Sequence, residues 1–140
     1  MNNNLNKTII LTGMMGCGKT TVGRALASKL KREFYDSDQE FSRASGLSIY
    51  DAFATYGEHY FRNGEQRVIE RLLEKKGLIV IGVGGGAFTN NKLRSIINKK
   101  SVTIWLNANN NTLYKRLKNN TKSRPLLNSS NLKKSIKTIL

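Results

Sequence analysis

Residues 13–20 read Gly13, Met14, Met15, Gly16, Cys17, Gly18, Lys19, Thr20. A short apolar run, Thr8, Ile9, Ile10 and Leu11, precedes them, and a helical pattern follows. Glycine, four residues, then Gly-Lys-Thr between a strand and a helix is the phosphate-binding loop, or Walker A motif. The chemistry dictates the residue types. Backbone N–H groups must turn inward and wrap an anion closely, which side chains on the loop would obstruct. The helix that follows adds its positive N-terminal end. Lys19 can reach the β- and γ-phosphates, and the Thr20 hydroxyl can ligate Mg²⁺. A glycine-rich turn with a chance lysine is the plain alternative, and the strand-loop-helix context argues against it. Alone, the motif says that the chain binds a nucleoside triphosphate.

The chain has 140 residues, enough for one domain around one core. No apolar run approaches a membrane span. Residues 1–7 are polar and Asn-rich, without the apolar segment of a signal peptide. The single cysteine, Cys17, excludes an internal disulfide, and its place inside the loop asks only for a small residue. These features predict a soluble cytoplasmic protein, expected to be a monomer, with no membrane partner. The formal net charge is +15. Such an excess fits a polyanion partner, but lysine is spread along the chain and no basic-aromatic recognition motif stands out. Composition bias is the better reading, so no nucleic-acid partner is expected.

After the loop, Val22, Ala25, Leu26 and Leu30 fall at helical spacing and predict an apolar stripe on a sheet. Residues 33–38 read as a short strand ending in two acids, Asp36 and Asp38. Two apart on an extended chain, they would point the same way and suit a cation or a cation plus a hydroxyl. A helix N-cap is the competing role. Residues 39–45 read as a short helix or turn ended by Gly46. Ser48 to Asp51 has capping-box form, followed by one apolar face of Ile49, Ala52, Phe53 and Tyr56. Gly57 breaks that pattern. A helix over about 58–76 buries Phe61, Val68, Ile69, Leu72 and Leu73, with Gly77 as its C′ residue. Arg62 and Glu65 are three apart, by default a solvated contact worth well under ~1 kcal/mol. His59 has no metal partner in sequence and reads as ordinary surface or packing.

Residues 78–81 form a continuous apolar run, as expected of a parallel strand covered on both faces. The run ends in Gly82, Val83, Gly84, Gly85, Gly86 and Ala87. These glycines make either a tight turn or room for a ligand, and ligands gather at the carboxyl ends of such strands. Thr89 or Asn90 can cap a helix through Leu93, Ile96 and Ile97. Residues 102–106 read as another strand, and 112–118 as another helix. Residues 119–128 look like a loop holding Arg124, which Pro125 keeps extended. An arginine there could close over a transferred phosphate, or be a plain surface residue. Leu132, Ile136, Ile139 and Leu140 are again apolar at helical spacing, and the chain stops without a capping signal.

Together, residues 13–20, Phe34 to Asp38, Phe61-Arg62 with Glu65, Gly84 to Ala87, and Arg124-Pro125-Leu126-Leu127 resemble the shikimate kinases in order and spacing. The loop is generic, but the other four stretches together are specific. The resemblance implies an α/β fold, a three-layer parallel sheet flanked by helices of the P-loop, nucleoside-monophosphate-kinase-like type. It implies one kinase domain over 1–140, with a substrate region at about 36–62 and a lid at about 119–128. It also implies transfer of the ATP γ-phosphate to the 3-hydroxyl of shikimate, on the route to chorismate, with ATP and Mg²⁺ as cofactors. By position, residues 13–21, from Gly13 through Thr21, would hold ATP, with Lys19 neutralising the moving phosphoryl group. Thr20 and Asp36 would hold Mg²⁺. Asp38 would bind shikimate hydroxyls and accept the 3-OH proton, and Arg62 would bind the carboxylate in a forked pair. Gly84, Gly85 and Gly86 would bring N–H groups to the substrate. Arg124 would be the lid arginine, and Arg116 a further arginine near the nucleotide.

Shikimate kinases continue past the lid with a second carboxylate-clamping arginine, a last strand and a final helix. This chain stops short of them, so a C-terminally incomplete domain lacking its last edge strand is expected. Two other readings stand beside the first. One is another small P-loop kinase, of gluconate type, which would not be expected to carry the other four stretches. The other is a catalytically inactive, basic nucleic-acid-binding protein.

Overall fold

The computed structural model describes residues 6–14 and 16–107. Met15, Arg116, Arg124, the lid at 119–128 and the helical patterns at 112–118 and 132–140 lie outside the described residues.

The apolar runs form four parallel strands: β1 (Thr8–Gly13), β2 (Glu33–Asp36), β3 (Ile79–Gly84) and β4 (Ser101–Leu106). Their order across the sheet is β2-β3-β1-β4. Helices α1 (Lys19–Leu30), α2 (Ser37–Ser45), α3 (Ile49–Leu73) and α4 (Asn91–Lys100) supply the connections. Because strand side chains alternate, the central strands build two cores. Ile9, Leu11 and Val80 pack with Leu26, Ala27, Leu30 and Phe34 on the α1 face. Ile10, Ile79, Ile81 and Val83 pack with Phe41, Phe61, Ile69, Leu72, Leu93 and Ile97 on the other. Burial on both faces explains why these strands carry no polar alternation. The expected three-layer parallel α/β architecture is present.

Four local expectations are corrected. The buried stripe of α1 is Gly23, Leu26, Ala27 and Leu30, while Val22 and Ala25 are exposed. The Phe34 ring takes the room over Gly23, where a Cβ would lie 2.3 Å from a ring carbon. Asp36 ends β2, and Asp38 is already in α2, so the two acids do not share one side of an extended chain. Tyr56 is 58% exposed and stacks on Tyr60 instead of joining the core. Helix α3 stops at Leu73, capped at Glu74, and Gly77 (φ 92°) is a turn residue farther on. The break at Gly57 is real: its φ of 86° and ψ of 172° interrupt α3. The predicted caps also form. Ser48 accepts from the Asp51 N–H, Asn90 accepts from the Leu93 N–H, and Gly46 ends α2.

Candidate active site

Parallel strands put their carboxyl ends along one edge, and ligands bind in the crevice there. Here Gly13, Asp36 and Gly84 end β1, β2 and β3 on that edge. Gly13 is directly across from Gly84 in the ladder and from Leu106 on its other side.

The loop is shaped by backbone that ordinary residues rarely adopt. Gly13, Gly16 and Gly18 have φ of 156°, 81° and 96°. At Gly13 a Cβ would also meet the Leu106 carbonyl at 2.4 Å and the Cys17 sulfur at 2.7 Å. Gly18 is the N-cap of α1 without any side-chain cap, so the first N–H groups of the helix face the loop. Lys19 Nζ lies over it, donating to the Gly13 carbonyl at 2.7 Å and the Met14 carbonyl at 3.3 Å. This concentrates an ammonium and a helix N-terminus on one concavity, the arrangement that holds phosphates.

One residue into α1, the Thr20 hydroxyl donates to Asp36 Oδ2 at 3.2 Å. The other oxygen, Oδ1, accepts from the N–H groups of Asp38 (2.9 Å) and Gln39 (3.3 Å) and caps α2. The capping role and the pairing with Thr20 therefore coexist in one carboxylate. Among the described residues no group of three or more His, Cys, Asp and Glu could hold a metal. One hydroxyl and one carboxylate instead fit Mg²⁺, which keeps several waters and takes phosphate oxygens.

Farther along the edge, Arg62 and Glu65 are not the solvated pair expected of their spacing. Arg62 Nη1 donates to Glu65 Oε1 at 3.0 Å, and Glu65 is 3% exposed. Arg62 Nε and Nη2 each lie 3.4 Å from Glu58 Oε1, and the guanidinium covers the Phe61 ring at 5.2 Å. Burial raises the Glu65 pKa to about 7, against the opposing pull of the Arg62 charge and hydrogen bond, and the Asp38 charge adds a smaller upward push. Desolvation thus outweighs the ion pair, as it does for acids taken out of water. Glu65 is the residue whose importance the sequence reading missed. The available signal was its position: 61, 65, 68, 69 and 72 lie on one helical stripe, and all five are buried.

After β3 the chain makes a single 3₁₀ turn, Gly85–Thr89, against this pair. A Cβ at Gly84 would sit 3.8 Å from Glu65 Oε2, and one at Gly85 would sit 3.6 Å from the Gly13 carbonyl. The triple glycine therefore lies between the phosphate loop and the Arg62–Glu65 pair. Lys19, Thr20, Asp36, Asp38, Arg62 and the three glycines share one edge of the sheet. His59 stands apart on the exposed face of α3 beside Asn63, as expected of a surface residue. No helix among the described residues is long and apolar enough to cross a membrane.

Comparison with known proteins points to one family. Residues 15–140 match the family model described as shikimate kinase. The chain is 50% identical over 121 residues to the shikimate kinase of Zymomonas mobilis, covering 86% of this chain and 68% of that one. It is 41% identical over 134 residues to the shikimate kinase of Bradyrhizobium diazoefficiens, covering 96% of this chain and 64% of that one. The structure of Acinetobacter baumannii shikimate kinase in complex with shikimate superposes with a TM-score of 0.90 at 38% identity. That match covers 96% of this chain and 74% of the other. The chain spans between 62% and 69% of the length of the curated relatives it matches.

Proposed function

Because the chain belongs to the shikimate kinase family, we propose that it transfers the γ-phosphate of ATP to the 3-hydroxyl of shikimate. The observation that carries this reading is the shared edge. The phosphate loop meets the Asp36 carboxylate through Thr20, and two residues on lies Asp38, whose charge reaches the buried Glu65 that Arg62 pairs with.

The residues take these roles. The loop N–H groups and Lys19 bind the triphosphate and offset the charge of the transferring phosphoryl group. Thr20 and Asp36 would hold Mg²⁺, which would supply charge neutralisation for the phosphates. Asp38, exposed at the start of α2, accepts the proton of the 3-hydroxyl. Arg62 binds the shikimate carboxylate, and Gly84 and Gly85 let it approach their backbone. By family position, Arg124 on the 119–128 lid and Arg116 add further cations near the nucleotide. Residues 1–140 belong to a single kinase domain, and the enzyme works as a cytoplasmic monomer on a small-molecule substrate without nucleic acid. Little covalent help is needed, since phosphoryl transfer is catalysed mainly by alignment and charge stabilisation.

A coupled ADP-release assay tests this, run with and without shikimate on this chain and on any longer product of the same reading frame. Shikimate-dependent ADP release is the expected result. Release driven by gluconate and indifferent to shikimate would replace the acceptor. Salt-dependent DNA or RNA binding with no ADP release would replace the enzyme.

A further inference from the structure

Gly86 is the last of the three glycines, and its requirement differs from that of the loop glycines. Its φ is not among the positive values, so an L-residue could adopt its backbone. Space is what is lacking. A Cβ there would lie 2.4 Å from Arg62 Nη1, 2.5 Å from Nη2 and 2.6 Å from Cζ. The methyl would therefore fall in space that the guanidinium itself occupies. A guanidinium holds a carboxylate through two parallel hydrogen bonds, so its placement decides how well it recognises one. The Gly86 backbone cannot easily retreat, because the Thr89 hydroxyl donates to its carbonyl at 2.7 Å within the 3₁₀ turn. Arg62 is the softer partner, so it is the guanidinium that would be displaced, away from Glu65 and off the Phe61 ring.

We propose that Gly86 is a positioning residue for substrate recognition: by carrying no side chain it seats the Arg62 guanidinium against Glu65, in the position from which it meets the carboxylate of the acceptor. The inference rests on the shikimate reading for the identity of that acceptor, and on the geometry alone for the seating. It separates Gly86 from a role as an N–H donor, since alanine keeps the N–H and removes only the space.

The test is Gly86→Ala in the full chain, alone and combined with Arg62→Lys. Lysine carries the charge as a point, without a planar guanidinium for the added methyl to displace. Shikimate and ADP dissociation constants are measured by calorimetry, and the Glu65 carboxyl is titrated by carbon-detected NMR without shikimate. Gly86→Ala should weaken shikimate binding by about tenfold or more and leave ADP binding within about twofold of wild type. In the Arg62→Lys background the same change should cost little more, a non-additive cycle. The Glu65 titration should move above about 7 in Gly86→Ala, because its cation has been pushed away. Wild-type shikimate affinity in Gly86→Ala, or an equal loss in both backgrounds, would overturn the proposal. If wild type itself does not bind shikimate, the functional reading fails, and the NMR titration alone decides the seating: an unmoved Glu65 overturns it.

Discussion

The two halves of the site are made in opposite ways. The half proposed to bind the phosphate donor is a contiguous stretch, Gly13 to Thr20, and is shaped mainly by backbone held in conformations that glycine permits. The half proposed to bind the acceptor is assembled from the start of α2, the middle of α3 and the turn after β3, and presents mainly side chains. The donor half is therefore local in sequence and needs little core behind it. The acceptor half depends on packing, because an arginine is aimed by a carboxylate that the core has stripped of water. Damage to the first should appear as lost chemistry on an intact acceptor site. Damage to the second should appear as lost recognition with the nucleotide still held.

Substitutions can break that division. The largest effect is expected at Asp38→Asn, which should lower turnover by about 10²–10⁴-fold with nucleotide affinity unchanged in a calorimetric titration. Near-wild-type turnover would remove Asp38 from the proton transfer. Lys19→Ala should cost about 10²–10³-fold in turnover, while shikimate binding, read separately, stays put. Loss of shikimate affinity in that variant would mean that the halves are not separable. Arg62→Ala should weaken shikimate binding by ~1.5–3 kcal/mol and spare ADP binding.

Glu65→Gln sharpens the comparison through pH. The unfolded carboxyl titrates at 4.5 and the folded one at about 7, so between those values the folded state keeps a proton that the unfolded state has lost. Stability should fall as pH rises through that window and level off above it. Glutamine has no such slope, so its stability relative to wild type should improve by ~1–3 kcal/mol between pH 5 and 8.5. Parallel curves for the two proteins in urea unfolding at both pH values would contradict the burial of an ionisable Glu65.

The same contrast governs what was legible beforehand. The loop could be read outright, since its glycines, Lys19 and Thr20 are consecutive and their chemistry follows from type and order. The strands, the Ser48 and Asn90 caps and the stop at Gly46 were equally local. What escaped depended on a distant partner. Gly23 looks like a poor core residue until Phe34 is seen filling its space. Asp36 and Asp38 looked like a matched pair until α2 began between them. Tyr56 had the right spacing for the core but lies beyond it, against Tyr60. Arg62 and Glu65 had the spacing of a weak surface pair, and only tertiary burial turned them into a desolvated one. Spacing states which residues are neighbours on a helix; it does not state which side of that helix another element will cover.

The two oxygens of Asp36 sit on one flat, stiff group, and each answers to a different master: Oδ2 to Thr20 at the foot of the donor loop, Oδ1 to the first amides of the helix that carries Asp38. Any tug on one oxygen must tilt the other. The carboxylate acts as a yoke that ties the first turn of α1 to the first turn of α2 through one rigid group.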